Sequence, residues 1–113
     1  MITLWHNPRC SKSRAALALL QEAGARLSLR RYLEDAPDLA ELRRVQALLG
    51  GDVIDMMRPG EARFKELGLT RDSDAETLLS AMADNPILIE RPIAITATRA
   101  VIGRPPEQVL DLI

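Results

Sequence analysis

The segment His6-Asn7-Pro8-Arg9-Cys10-Ser11-Lys12-Ser13-Arg14 holds one thiol, one imidazole, two hydroxyls and three cations within nine positions. A thiol attacks as its thiolate. That form is favoured where helix N-terminal amides and cations face the sulfur, which brings a cysteine from about 8.5 into roughly the 3.5–7.5 range. The same groups attract an oxyanion. A free cysteine packed in a core would instead be a small inert apolar side chain. The preceding proline, the flanking cations and a helix starting at Ser11 favour the reactive reading for Cys10. His6 is the second catalytic candidate because of its spacing from Cys10. Protonated, it would add to the positive charge of Arg9, Lys12 and Arg14, whereas a lone histidine is otherwise a hydrogen-bonded structural residue. Ser11 and Ser13 either cap the helix or hydrogen-bond the thiolate. Asn7 and Ser13 are structural candidates beside the site.

The elements that must position these residues follow from hydrophobic pattern and punctuation. Residues 1–5 are apolar and β-prone, and from Ser11 a helical pattern with Ala15, Leu17, Ala18, Leu19 and Leu20 runs until Gly24 stops it. Residues 26–32 suit a half-buried second strand parallel to the first, which completes a βαβ unit. Asp38 can cap a helix carrying Leu39, Leu42, Val45, Leu48 and Leu49, ended by Gly50 and Gly51. Short helical pieces follow over 52–57 and 61–67, and a helix capped by Asp74 runs over 74–83. Ile93, Ile95, Val101 and Ile102, flanking residues 96–98, read as a β-hairpin, and Pro105 and Pro106 open a last short helix. Trp5 reads as packing without a chemical role.

At 113 residues the chain is the size of one domain, here a single domain over 1–113. A formal net charge of −1 with no long basic run supplies no phosphate-neutralising footprint, so no nucleic-acid partner is expected. The start lacks a secretory pattern and no apolar run approaches the roughly 20 residues that span a bilayer, so no membrane partner and a cytoplasmic location are expected. With a single cysteine the chain cannot close an internal disulfide, and one Cys with one His cannot build a protein-only tetrahedral zinc site.

The motif from His6 to Arg14 resembles the active-site motif of the glutaredoxin-linked arsenate reductase family, and the resemblance extends over essentially the whole chain. Met57-Arg58 resembles the segment of the family's first oxyanion arginine, Glu90-Arg91-Pro92-Ile93 that of the second, and Gly103-Arg104-Pro105-Pro106-Glu107 that of the third. The resemblance implies an α/β, thioredoxin-like fold: a small mixed sheet flanked by helices, with a helical insertion over about 38–84 between the βαβ unit and the C-terminal hairpin and helix. It implies Cys10 as nucleophile, Arg58, Arg91 and Arg104 as oxyanion ligands, and a cis Arg91-Pro92 bond beside the thiol. A guanidinium suits that role because its planar donors match tetrahedral oxyanions and it stays charged at physiological pH. Two departures stand out: Pro59-Gly60-Glu61 after Arg58, as in a less well-defined branch with the same Cys motif, and a short hairpin turn over 97–100.

The implied activity is reduction of arsenate or a similar oxyanion by a monomeric enzyme, with glutathione as co-substrate, glutaredoxin as partner and no bound metal or cofactor. One rival is a glutathione-dependent monothiol–disulfide exchange enzyme. Another is a non-catalytic redox module that binds RNA polymerase, as relatives with a Cys-x-x-Cys pair or without the oxyanion arginines do.

Overall fold

The computed structural model describes all 113 residues. The chain divides into two compact units, Met1–Asp35 with Arg91–Ile113, and Ala36–Glu90. The helical segment expected over 38–84 lies within the second.

The first unit is built on β1 (Ile2–Trp5), α1 (Ser11–Glu22), β2 (Leu27–Arg30), β3 (Ile93–Ile95) and β4 (Ala100–Ile102). They form a four-stranded mixed sheet in the order β2-β1-β3-β4, with β1 and β2 parallel and the other two pairings antiparallel. A parallel pair needs a crossover, and α1 supplies it. Alternation along the strands splits the apolar residues between the faces. Ile2, Leu4 and Ala94 join Ala16 and Leu20 of α1 and Val109 of the terminal segment in one buried cluster. Trp5, Ile93 and Ile95 on the other face are also buried, so Trp5 is a core residue. This sheet with its crossover helix is the thioredoxin-like α/β arrangement that the sequence led us to expect.

Gly24 ends α1 with φ 74°, a conformation that costs glycine little. Its N–H reaches the Gln21 carbonyl and the Ala25 N–H that of Leu20, at 3.0 and 3.1 Å. β2 is shorter than the expected 26–32 stretch and lies at the sheet edge, so Leu29 is exposed while Tyr32, beyond the strand, is buried. The last element, Pro106–Leu112, is a 3₁₀ helix with Pro106 at its first position.

The second unit contains α2 (Leu39–Leu49), α3 (Ala62–Glu66) and α4 (Ala75–Asp84), with 3₁₀ turns at Val53–Met56 and Pro86–Leu88. Asp38 and Glu41 make a reciprocal capping box at the start of α2, and the Asp74 carboxylate accepts the Thr77 N–H at the start of α4. The helices bury Leu42 and Val45 of α2 and Leu78, Leu79 and Met82 of α4. The 86–88 turn was not expected from sequence; Pro86 at its first position starts it. It leads into an isolated antiparallel bridge between Met57 and Ile89.

Leu20 is fully buried in the cluster of the first unit. We expect Leu20→Ala to lower unfolding free energy by about 2–5 kcal/mol in a urea titration. A loss under about 1 kcal/mol would show that the cluster does not hold α1 to the sheet.

Candidate functional site

The register explains why distant segments converge. Trp5 pairs with Ile93, and Ile93 with Ile102. The chain leaving β1, the chain entering β3 and the chain leaving β4 therefore emerge at one end of the sheet, and these carry Cys10, Arg91 and Arg104.

Cys10 is the N-cap residue of α1, with extended backbone and no side-chain cap, and is only partly exposed. The Arg104 guanidinium donates from Nη2 to Cys10 Sγ at 3.7 Å and from Nε to the Arg91 carbonyl oxygen at 2.9 Å. Burial pushes the Cys10 thiol up, but hydrogen bonds from the Ser13 amide, the Arg91 side chain and the Lys12 amide, with the Arg91 charge, outweigh it. The net result is a thiol held below its ordinary value. Neither Ser11 nor Ser13 caps the helix.

His6 is buried, at 5 % exposure, and its Nδ1 lies 2.6 Å from Ser13 Oγ, which also accepts the Asn7 N–H at 3.0 Å. Ser13 is fully buried. Burial, then the charges of Arg31 and Arg14, lower the His6 pKa from 6.5. Of the two readings of His6, burial and its bond to Ser13 favour the hydrogen-bonded one, since a protonated ring would be desolvated among like charges. The Asn7 side chain accepts the Arg9 N–H at 3.0 Å and its carbonyl the Cys10 N–H at 3.0 Å, so Asn7 shapes the turn that carries the thiol.

The Arg91-Pro92 bond is cis, as the resemblance implied, and so is Arg104-Pro105, which the sequence suggested only as a helix start. The Gly103 N–H donates to the Pro92 carbonyl at 2.9 Å, and a Cβ on Gly103 would lie 2.7 Å from Pro92 Cγ. Gly103 thus permits the close approach of the two Arg-Pro segments.

Arg58 lies in the helical unit. Its N–H donates to the Leu88 carbonyl and the Glu90 N–H to that of Met56, both at 2.8 Å, which lays 56–58 alongside 88–90. The Arg58 guanidinium donates to Glu61 from Nε and to Glu90 from Nη1, each at 3.1 Å. Sequence reasoning missed both carboxylates. Glu61 carried a signal, since a residue three positions on shares a turn; Glu90, 32 positions away, carried none. No cluster of three or more His, Cys, Asp or Glu side chains is placed to hold a metal ion, and no helix is long and apolar enough to cross a membrane.

The model of the ArsC family matches residues 5–112. The chain belongs to the ArsC family. It is 46% identical to the uncharacterized protein YfgD of Escherichia coli K12, over 99% of this chain and 96% of that protein. It is also 46% identical to an arsenate reductase of Neisseria meningitidis serogroup A, over 96% of this chain and 94% of that one. Among solved structures of ArsC relatives, an arsenate reductase from Vibrio cholerae superposes with a TM-score of 0.94 at 44% identity, covering 99% of this chain and 97% of the other.

Two pH effects follow. A thiol whose folded pKa is depressed adds stability that is complete above its unfolded value of about 8.5 and is lost as pH falls through the folded pKa. Thiol alkylation should therefore reach half its maximal rate at a lower pH in the folded protein than in the urea-unfolded chain, and Arg91→Ala should move that midpoint upward. An unmoved midpoint would remove Arg91 from the thiolate's support. The depressed pKa of His6 acts in the same direction: its contribution is complete above 6.5 and is lost on acidification through the folded value. Denaturation midpoints should fall between pH 7 and 5, and less steeply in His6→Gln. Parallel slopes would show that His6 does not titrate differently on folding.

Proposed function

We propose that the protein is an oxidoreductase that reduces arsenate through Cys10, with glutathione and glutaredoxin returning the thiol to its starting state. The observation that carries this reading is Cys10 at a helix N-terminus with the Arg91 and Arg104 side chains on its sulfur. The names of its arsenate reductase relatives support it.

In this reading the Cys10 thiolate attacks arsenic(V), and an arsenic-bound oxygen leaves as water, giving a Cys10–sulfur–arsenic bond. A glutathione thiol displaces a second water. A glutaredoxin thiolate then attacks the glutathione sulfur, and the sulfur–arsenic electron pair stays on arsenic, reducing it to arsenic(III). The products are a glutaredoxin–glutathione disulfide and, after hydrolysis, arsenite with free Cys10. Arg91 and Arg104 stabilise the oxyanion charge that develops during attack, a term that commonly dominates such steps. The family resemblance assigns Arg58 to the same anion, and Glu61 and Glu90 fix its guanidinium through two donors. His6 acts as a positioning residue, through Ser13 and the turn at Asn7. The reading needs no bound metal or cofactor and places a monomer in the cytoplasm.

A second reading, glutathione-dependent thiol–disulfide exchange without arsenate, has the pairing of Arg58 in its favour: a guanidinium already holding two carboxylates is a weaker anion ligand. Arsenate-dependent NADPH consumption with glutathione, glutaredoxin and glutathione reductase separates the two. Turnover should require arsenate and vanish in Cys10→Ser, while Arg91→Ala or Arg104→Ala should cost on the order of 100-fold in kcat/KM for arsenate. Retained turnover in Cys10→Ser would sink the mechanism. Equal losses on arsenate and on a neutral disulfide would leave the exchanger.

A further inference from the structure

The chain returns from the helical unit to the Cys10 unit between Glu90 and Arg91, so two consecutive residues belong to different units. Each is held by its own partners. The Glu90 N–H donates to the Met56 carbonyl at 2.8 Å, and the Glu90 carboxylate accepts from Arg58 Nη1 at 3.1 Å. On the other side of the peptide bond, the Arg91 carbonyl accepts from Arg104 Nε and the Pro92 carbonyl from the Gly103 N–H, both at 2.9 Å. Arg58 is anchored in turn, by its N–H on the Leu88 carbonyl at 2.8 Å and by Nε on Glu61 at 3.1 Å. The Arg58 and Glu90 side chains are 25% and 21% exposed, a depth at which water still screens an ion pair and leaves it little to add to stability. The pair does place a second restraint on the residue from which Arg91 begins. Arg91 is the residue that needs one, because its guanidinium reaches the Cys10 sulfur on a long flexible stem and its reach depends on where its main chain starts.

We propose that Arg58 is a positioning residue rather than a direct ligand of the oxyanion: through Glu90 it fixes the main chain from which the Arg91 side chain reaches the Cys10 sulfur. This departs from the role the resemblance gives Arg58, and it rests on the reading of Cys10 as the nucleophile with Arg91 in its support. Two of the Arg58 donor atoms are already used on carboxylates. The two roles have opposite consequences at Glu90. If Arg58 bound the anion, removing the Glu90 carboxylate would release its guanidinium and tighten anion binding. If Arg58 acts through Glu90, removing either end breaks the same link, and Glu90→Ala must behave like Arg58→Ala. Charge alone cannot imitate that result. A lost carboxylate favours a thiolate or leaves it unchanged, so a loss of thiolate in Glu90→Ala has to come from the displaced Arg91.

The test follows alkylation of Cys10 by iodoacetamide, a neutral reagent, as a function of pH with no oxyanion present. We expect the midpoint to rise by about half a pH unit in Arg58→Ala and in Glu90→Ala, which slows alkylation roughly threefold below the midpoint. The double variant should be no slower than either single one, since both changes remove one link. Arg63→Ala is the control for general loosening of the helices: it removes an arginine of the same unit that holds Asn85 and Glu66, and should leave the midpoint in place. An unmoved or lowered midpoint in Glu90→Ala, or an equal rise in Arg63→Ala, overturns the proposal. So does an Arg58→Ala variant whose only defect is a raised KM for arsenate, which would return Arg58 to the anion. If Arg91→Ala also leaves the midpoint unmoved, the support of the thiolate by Arg91 falls with it. Absence of arsenate turnover in the unaltered protein would overturn the proposed function and not this link.

Discussion

A thiol at the start of a helix, partly out of water, with its ionised form favoured over the neutral one relative to a free cysteine, is the constraint to which the first unit answers. Burial works against the charge, so the fold has to return at least as much stabilisation as desolvation removes. It does so with groups of two kinds. The Ser13 and Lys12 amides come with the helix and need only that Cys10 be its N-cap. Arg91 and Arg104 come from far along the chain and need the whole sheet. The central place of β1, with β3 antiparallel beside it and β4 outside that, delivers those two segments to the end of the sheet where β1 hands over to α1. Were β3 parallel to β1, the Arg91 end of that strand would lie at the opposite edge.

Cations also limit what can sit at the end of β1. An imidazolium at position 6 would be an added positive charge with little water to solvate it, and Arg31 and Arg14 act against it. The fold uses histidine instead as a neutral hydrogen-bonding partner. Ser13, turned inward by its place in the first turn, contacts both the His6 ring and the Asn7 amide, so one hydroxyl ties the end of β1 to the start of α1. The turn that presents Cys10 is fixed by these neutral contacts together with the Arg14 guanidinium on the Pro8 carbonyl.

What sequence reading could and could not reach divides along the range of the interactions. Asp38 with Glu41, Asp74 with Thr77 and Gly24 after α1 are local devices, complete within a few residues, and each lies where its punctuation placed it. The Cys10 segment was legible for the same reason, its amides, cations and thiol being consecutive. The meeting of Arg91 and Arg104 with that thiol was supplied by family resemblance, since no periodicity relates residues more than eighty positions apart. The two readings of His6 could not be separated in sequence, because burial and the Arg31 charge, neither visible in the nine-residue motif, bear on it. Strand β2 was drawn too long because Leu29 and Tyr32 look alike as apolar residues, and only the edge position of the strand separates an exposed leucine from a buried tyrosine.

The three arginines named by the resemblance do different physical work. Arg58 holds two carboxylates in the helical unit, so its charge is largely answered within that unit. Arg104 instead spans two acceptors of different kinds, the Arg91 carbonyl through Nε and the Cys10 sulfur through Nη2. A lysine could supply the charge at position 104, but its ammonium is a single point on a flexible stem and could not hold both acceptors in one rigid plane. The bond to the Arg91 backbone orients the guanidinium and couples the two Arg-Pro segments that Gly103 already brings into contact. Charge alone would attract an oxyanion; the fixed plane of Arg104 determines where, relative to the sulfur, that anion would be held.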